Sequence, residues 1–230
     1  MGSRRRTEST LSIEVVTARK PHCAPSRENW FTVDVELFTG WHTWQGTEPE
    51  LRRLLPAATC DKVAAAANFA LRFHGDQKRP TGAPYVEHLL EALEVLVRGA
   101  GVTDPDVLCA AVLHDVVEDT PCTIAGVRAA FGDRVADMVA WVTKPDATDE
   151  ADKKALKEAY LAGLADAPDD AILVKLADRA SNVQTLHNLP LPKARDYFAQ
   201  TKTFIVPLAA SRGWWALWYA SWEVAHRDLA

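Results

Sequence analysis

The sequence predicts an all-α protein, a multi-helix bundle of about eight to nine helices behind a poorly defined N-terminal segment. Alanine-rich runs such as AAAANFA and LAGLADA favour helix over strand. From residue 59 onward, apolar residues recur at helical spacing rather than alternating. Glycine, proline and capping residues punctuate that pattern at helix-length intervals. With 48% hydrophobic residues among 230, the chain can bury the core of one ordinary domain.

Residues 1–55 read as an N-terminal extension ahead of a helical region, 56–230. The extension mixes basic, polar and aromatic residues, with Pro21, Pro25 and one strand-like run, WFTVDVELF (30–38). Trp41 and Trp44 call for packing against something. A flexible tail, a partly packed segment and translated sequence ahead of the true start all remain open.

The helical pattern of Ala64 to Phe73 stops at HGDQKRPTGAP, a loop by composition. Pro84 suits the first turn of a helix running to Arg98, with Leu89, Ala92, Leu93 and Leu96 as its core stripe. Thr103, Asp104 and Pro105 start the next helix, apolar almost all round and so buried, and Thr120-Pro121 ends it. Short helices over 124–131 and 134–142 split at Gly132, and a polar loop, TKPDATDEAD, leads into a helix over 151–165. Acidic residues open a helix at 169–186, which Leu189-Pro190-Leu191-Pro192 stops. A helix over 193–209 and the run GWWALWYASWEVAHRDLA complete the chain. Trp214, Trp218 and Trp222 share one stripe, for which core packing and a homo-oligomer face both fit.

The formal charge of −5 argues against nucleic acid as a partner, so a phosphate-bearing ligand requires a local basic patch. Cys23, Cys60, Cys109 and Cys122 lack C-x-x-C spacing, which suits a reducing compartment. No apolar run is long enough to span a membrane, and MGSRRRTESTLSIEVV lacks a signal-peptide core. A cytoplasmic protein without a membrane partner is expected.

Chemistry concentrates in LHDVVEDT, residues 113–120. On one continuous helix His114 and Glu118 are i,i+4 neighbours, as are Asp115 and Asp119, so the four crowd one arc. Three carboxylates on a buried helix repel and lose hydration unless a cation sits among them; a solvated acidic helix end is the alternative. Lys175, Asp178, Asn182 and Thr185 share a face of another apolar helix, which reads as a cleft lining or as a core stripe paired with Arg179. His88, on a third helix, reads as a ligand or as a structural histidine.

The order His88, then His114-Asp115, then Asp178 resembles the HD phosphohydrolase superfamily, all-helical metal enzymes. The strings RPTGAPYVEH, AAVLHDVVEDT, FGDRVADMVAWVTK and VKLADRASNVQTL resemble its alarmone-hydrolase branch, found in RelA/SpoT homologues and small alarmone hydrolases, over about 60–210. That resemblance implies one manganese(II) ion held by His88, His114, Asp115 and Asp178. It also implies Glu118 and Asp119 as catalytic carboxylates, acting on a water acidified by the metal. Arg79, Thr81, Lys175, Asn182, Thr185 and Tyr197 fall on substrate-binding positions. The implied activity is removal of the 3′-pyrophosphate of the guanosine alarmone (p)ppGpp. Leu89, Ser181, Pro80 and the HGDQ string depart from the family pattern, and Pro80 and Ser181 put substrate identity in question. No synthetase half follows the helical region, so hydrolysis alone is expected. Two other readings compete: the same site acting on an adenosine alarmone or on the 2′-phosphate of NADPH, and a non-catalytic nucleotide-binding regulator.

Overall fold

The computed structural model describes residues 35–79, 81–145 and 150–230. Residues 1–34, with Pro21, Cys23, Pro25 and the first half of the strand-like run, lie outside the described residues, as do Pro80 and residues 146–149 of the TKPDATDEAD loop. The described residues fall within one unit, Val33–Ala230. They contain no strand, only an isolated bridge between Lys78 and Pro84.

Asp104 caps helix α4, Pro105–Leu113, accepting from the backbone N–H of Asp106 at 2.9 Å, with Pro105 in the first turn. Every residue from Val107 to Leu113 is buried, because an all-apolar helix has no face to offer water. It therefore takes the centre, packed on α2 (Ala57–His74), α3 (Val86–Glu94), α6 (Asp133–Val142) and α8 (Asp169–Val183). Helix α8 also packs on α3, so α3, α4 and α8 form a triangle of inner helices. Outer pieces are α1 (Trp44–Leu54), α5 (Ile124–Phe131), α7 (Glu150–Gly163), α9 (Leu191–Gln200), α10 (Val206–Ala209) and α11 (Trp214–Ala225).

Two helices carry wide π-turns. Helix α3 widens at Val95–Gly99, and α9 runs through Thr201–Ile205 into α10, where Pro207 has no N–H to give. Gly99 is required by close approach: a Cβ there would sit 2.6 Å from Trp214 and 2.8 Å from Phe38.

The strand-like run forms no strand over its described part. Residues 35–43 take no regular secondary structure, and side chains rather than a neighbouring strand bond the backbone of Phe38, Gly40 and Trp41. Gln184 Oε1 accepts from Phe38 N–H at 2.7 Å, and its Nε2 donates back to Phe38 O at 3.0 Å. Buried Glu94 accepts from the N–H groups of Gly40 and Trp41. Helix α1, capped by Thr43, was not foreseen, because Pro49 interrupts its pattern. Trp41 and Trp44 are buried, as their bulk requires.

Of the tryptophan stripe, Trp218 and Trp222 are core and Trp214 is partly buried; Trp215 is also buried. Trp222 donates to Val183 O and Tyr219 to Leu176 O, bracing α8 from behind. Among the described residues no helix is long and apolar enough to cross a membrane.

Candidate metal centre

Three inner helices converge on one point. His88 lies in the first turn of α3, Asp178 mid-way along α8, and His114 is the residue on which α4 ends. The acidic stretch does not continue that helix. After Leu113 the chain tightens into turns, with Val116 N–H bonded to Leu113 O and Asp119 N–H to Asp115 O. The four chemical residues consequently do not share one arc. His114 turns inward to His88, Asp115 and Asp119 both meet Tyr85, and Glu118 reaches Lys144. Tyr85 thus bridges Asp115 and Asp119, while Glu118 is drawn toward Lys144.

The donor atoms stand at coordination spacing. His114 Nε2 is 3.0 Å from His88 Nε2 and 3.1 Å from Asp115 Oδ2. His88 Nε2 is 3.4 Å from Asp115 Oδ2 and 3.3 Å from Asp178 Oδ1, and Asp178 Oδ1 is 3.6 Å from His114 Nε2. A first-row divalent ion about 2.1 Å from each ligand sets donor–donor edges of roughly 3.0 Å (octahedral) to 3.4 Å (tetrahedral). His88, His114 and Asp115 lie within 4.8 Å of one another; Asp178 meets both imidazoles but stands farther from Asp115. Two nitrogens and two carboxylates suit a first-row divalent metal rather than an all-oxygen calcium or magnesium cage. The residues fit the divalent metal that the fold implies.

Electrostatics point the same way. Burial alone would push both aspartates up, yet His114 and His88 hold Asp115, and Lys175 with the histidines holds Asp178, well below the usual carboxylate range. Burial pulls His114 down, but Asp115 and Asp178 outweigh it and hold the imidazole well above its ordinary value. Two Nε2 atoms 3.0 Å apart cannot both carry protons, so a cation between them replaces that competition. Lys175 is buried with Nζ 2.7 Å from Asp178 Oδ2, which keeps it charged against burial. Asn182 Nδ2 donates to Asp178 Oδ1 at 2.7 Å.

A cavity of about 230 Å³ opens over these groups, lined by His88, Asp115, Glu118, Asp119 and Asp178 on one side. Arg79, Lys144, Lys157, Lys175 and Arg179, with Tyr85, Asn182 and Tyr197, complete its wall. Its cations outnumber its carboxylates, a local basic patch in an acidic chain. The Tyr197 ring is crowded by Lys157, Arg179 and Lys193, each within 5.8 Å of its centre. A larger open groove of about 790 Å³ between α6 and the start of α8 has no histidine and an apolar lining that includes Met138 and Trp141.

The structure thus brings together His88, His114, Asp115, Asp178, Glu118, Asp119, Arg79, Lys175, Asn182 and Tyr197. Thr81, exposed, and Thr185, half-buried, do not line the cavity. Arg79 lines it but directs Nη1 to both oxygens of Glu91, at 3.1 and 3.0 Å. Sequence reasoning passed over Tyr85, whose hydroxyl lies 2.6 Å from Asp115 Oδ2 and 2.5 Å from Asp119 Oδ2 and shares its single proton between them. A phenol one helical turn before His88 was the available signal. Burial and Asp115 raise Tyr85 far beyond the physiological range, so it acts as a hydrogen-bond donor.

A family model described as HD domain matches residues 66–215. The chain belongs to the HD domain family. Within that family it is 36% identical over 174 residues to guanosine-3′,5′-bis(diphosphate) 3′-pyrophosphohydrolase of Aquifex aeolicus, covering 74% of this chain and 24% of that protein. It thus spans about a quarter of that relative's length. The human guanosine-3′,5′-bis(diphosphate) 3′-pyrophosphohydrolase MESH1 is 39% identical over 131 residues, covering 55% of this chain and 70% of that protein. Among solved structures, one described as a metazoan ortholog of SpoT that hydrolyzes ppGpp superposes with a TM-score of 0.65. It is 30% identical and covers 76% of this chain and 98% of that one.

Proposed function

We propose that this HD domain chain hydrolyses (p)ppGpp, removing the 3′-pyrophosphate to leave GDP or GTP. One observation carries the reading: His88, His114 and Asp115 stand within 4.8 Å of one another, with Asp178 against both imidazoles, beneath a small cavity lined by five cationic and four anionic side chains. The names of the relatives above support the substrate class. In this reading His88, His114, Asp115 and Asp178 hold one manganese(II) ion, whose Lewis acidity serves the attacking water and the scissile phosphate.

The chain's own residues supply the rest. Glu118, oriented by the Lys144 backbone N–H and ammonium, and Asp119, oriented by Tyr85, are the proposed acceptors of the water proton. Arg79, Lys144, Lys157, Lys175 and Arg179 offset the charge of the pyrophosphate. The bond between the ribose 3′ oxygen and phosphorus breaks, the water oxygen joins the released pyrophosphate, and a proton ends on the 3′ hydroxyl.

About 230 Å³ is small for a whole nucleotide and suits its pyrophosphate end. Asn182 and Tyr197 are proposed as substrate contacts in the cavity, and Thr81 and Thr185 as contacts for the nucleoside beyond it. The proposed functional unit is 56–230, with the described part of the extension clasping it. The free thiols of Cys60, Cys109 and Cys122 suit a cytoplasmic setting.

The test is kcat/KM with manganese on ppGpp, the adenosine alarmone and NADPH side by side, since specificity is a ratio. The guanosine alarmone should be preferred. A higher ratio for either competitor would move the reading to that substrate. Tight binding of all three without turnover would make the chain a regulator.

A further inference from the structure

We propose that Ser181 and Glu91 are positioning residues that fix the tautomer and aim of His88, presenting its Nε2 lone pair to the metal. The inference rests on the metal-site reading above and assigns work to two residues outside the cavity lining.

Ser181 and Glu91 are buried, on α8 and α3 respectively, 90 residues apart in sequence. Ser181 Oγ lies 2.5 Å from Glu91 Oε2 and 2.9 Å from His88 Nδ1. Proton bookkeeping fixes each direction. An ionised carboxylate only accepts, so the single hydroxyl proton of Ser181 goes to Glu91. Toward His88 the same oxygen can then only accept, so Nδ1 carries the proton. In a neutral imidazole that leaves the lone pair on Nε2, the atom facing His114, Asp115 and Asp178.

Glu91 is itself held. Arg79 Nη1 meets both of its oxygens, which balances its buried charge and stops it rotating away from Ser181. His114 reaches the same state by a shorter route, donating from Nδ1 to Ala111 O at 2.7 Å. The two imidazoles are thus set from opposite ends of the chain's chemistry, one by backbone and one by a serine–carboxylate relay. Outer partners of this kind commonly change metal affinity about 10–100-fold.

The experiment measures the manganese dissociation constant by electron paramagnetic resonance of free ion, together with metal-free melting and the split of kcat from KM. Ser181→Ala should weaken manganese binding roughly 10–100-fold while the metal-free protein melts normally. Its kcat should fall at limiting manganese with KM for the nucleotide unchanged. Glu91→Gln keeps an acceptor for the hydroxyl and should stay within about threefold of wild type. Glu91→Ala should match Ser181→Ala, and the double variant should be no weaker than either, because both cut one chain. Should Glu91→Ala fail to fold, Ser181→Ala and Glu91→Gln decide the matter alone. Manganese affinity in Ser181→Ala within about twofold of wild type, or fully multiplicative losses in the double variant, would overturn the relay. Failure of the underlying site looks different: the wild-type chain would bind no manganese, or Asp115→Ala would bind it equally well.

Discussion

Replacing Lys175 by methionine removes the charge that holds Asp178 from behind while keeping an apolar stem of similar length. Nζ lies 2.7 Å from Asp178 Oδ2, and the two side chains are 3% and 9% exposed. At an effective dielectric near 20 that separation corresponds to a gross attraction of roughly 6 kcal/mol. Truncating one member of a buried pair, with the other charge left behind, costs about 3–5 kcal/mol. Asn182 still donates to Asp178 Oδ1, so the lower end of that range is expected. For a chain of this size, the metal-free melting temperature should fall by roughly 6–12 °C. A divalent ion held as proposed would meet the same carboxylate, so manganese should raise the melting temperature of Lys175→Met by more than it raises that of wild type. Scanning calorimetry in chelator and in manganese reads both quantities. A variant melting within about 2 °C of wild type in chelator would refute the assignment of Lys175 as the compensating charge. Equal manganese shifts in the two proteins would refute the sharing of Asp178.

Three further outcomes follow from the same geometry. Tyr85→Phe deletes the hydroxyl shared by Asp115 and Asp119, so kcat should drop roughly 10–100-fold with KM little changed; steady-state kinetics in saturating manganese checks it. Gly99→Ala drives a Cβ against the Trp214 and Phe38 rings and should cost about 1–3 kcal/mol, read from denaturant unfolding. Burial pushes the Cys109 thiol up to about 12, since desolvation disfavours the thiolate. At pH 8 the native thiol should therefore resist alkylation and react only after unfolding, and rapid labelling of folded protein would contradict that burial.

The sequence revealed most where the signal was local. An apolar run, Val107 to Leu113, behind a Thr-Asp-Pro start calls for a buried helix, and α4 is central. That His88, His114, Asp115 and Asp178 meet was anticipated from motif order alone, since His88 and Asp178 lie on α3 and α8 and the adjacent His114 and Asp115 follow the end of α4. Long-range pairing was not legible. Ser181 looked like a departure from the family pattern, and its reason, Glu91 on another helix, has no trace in spacing. Arg79 read as a loop cation free for phosphate, whereas Glu91 accepts from one of its nitrogens. The end of α4 was misread because the periodic pattern gives no sign of the turns that begin after Leu113. The run at 30–38 has strand composition, but its described residues meet the side chains of Gln184 and Glu94 instead of another strand.

The most direct test of the metal site is to strip the protein with chelator, add manganese stepwise, and follow bound ion and ppGpp consumption together. Both should saturate at one ion per chain, and both should vanish in Asp178→Ala and His114→Ala proteins that still melt cooperatively. Undiminished hydrolysis in either variant, or full turnover in the stripped enzyme, would contradict it.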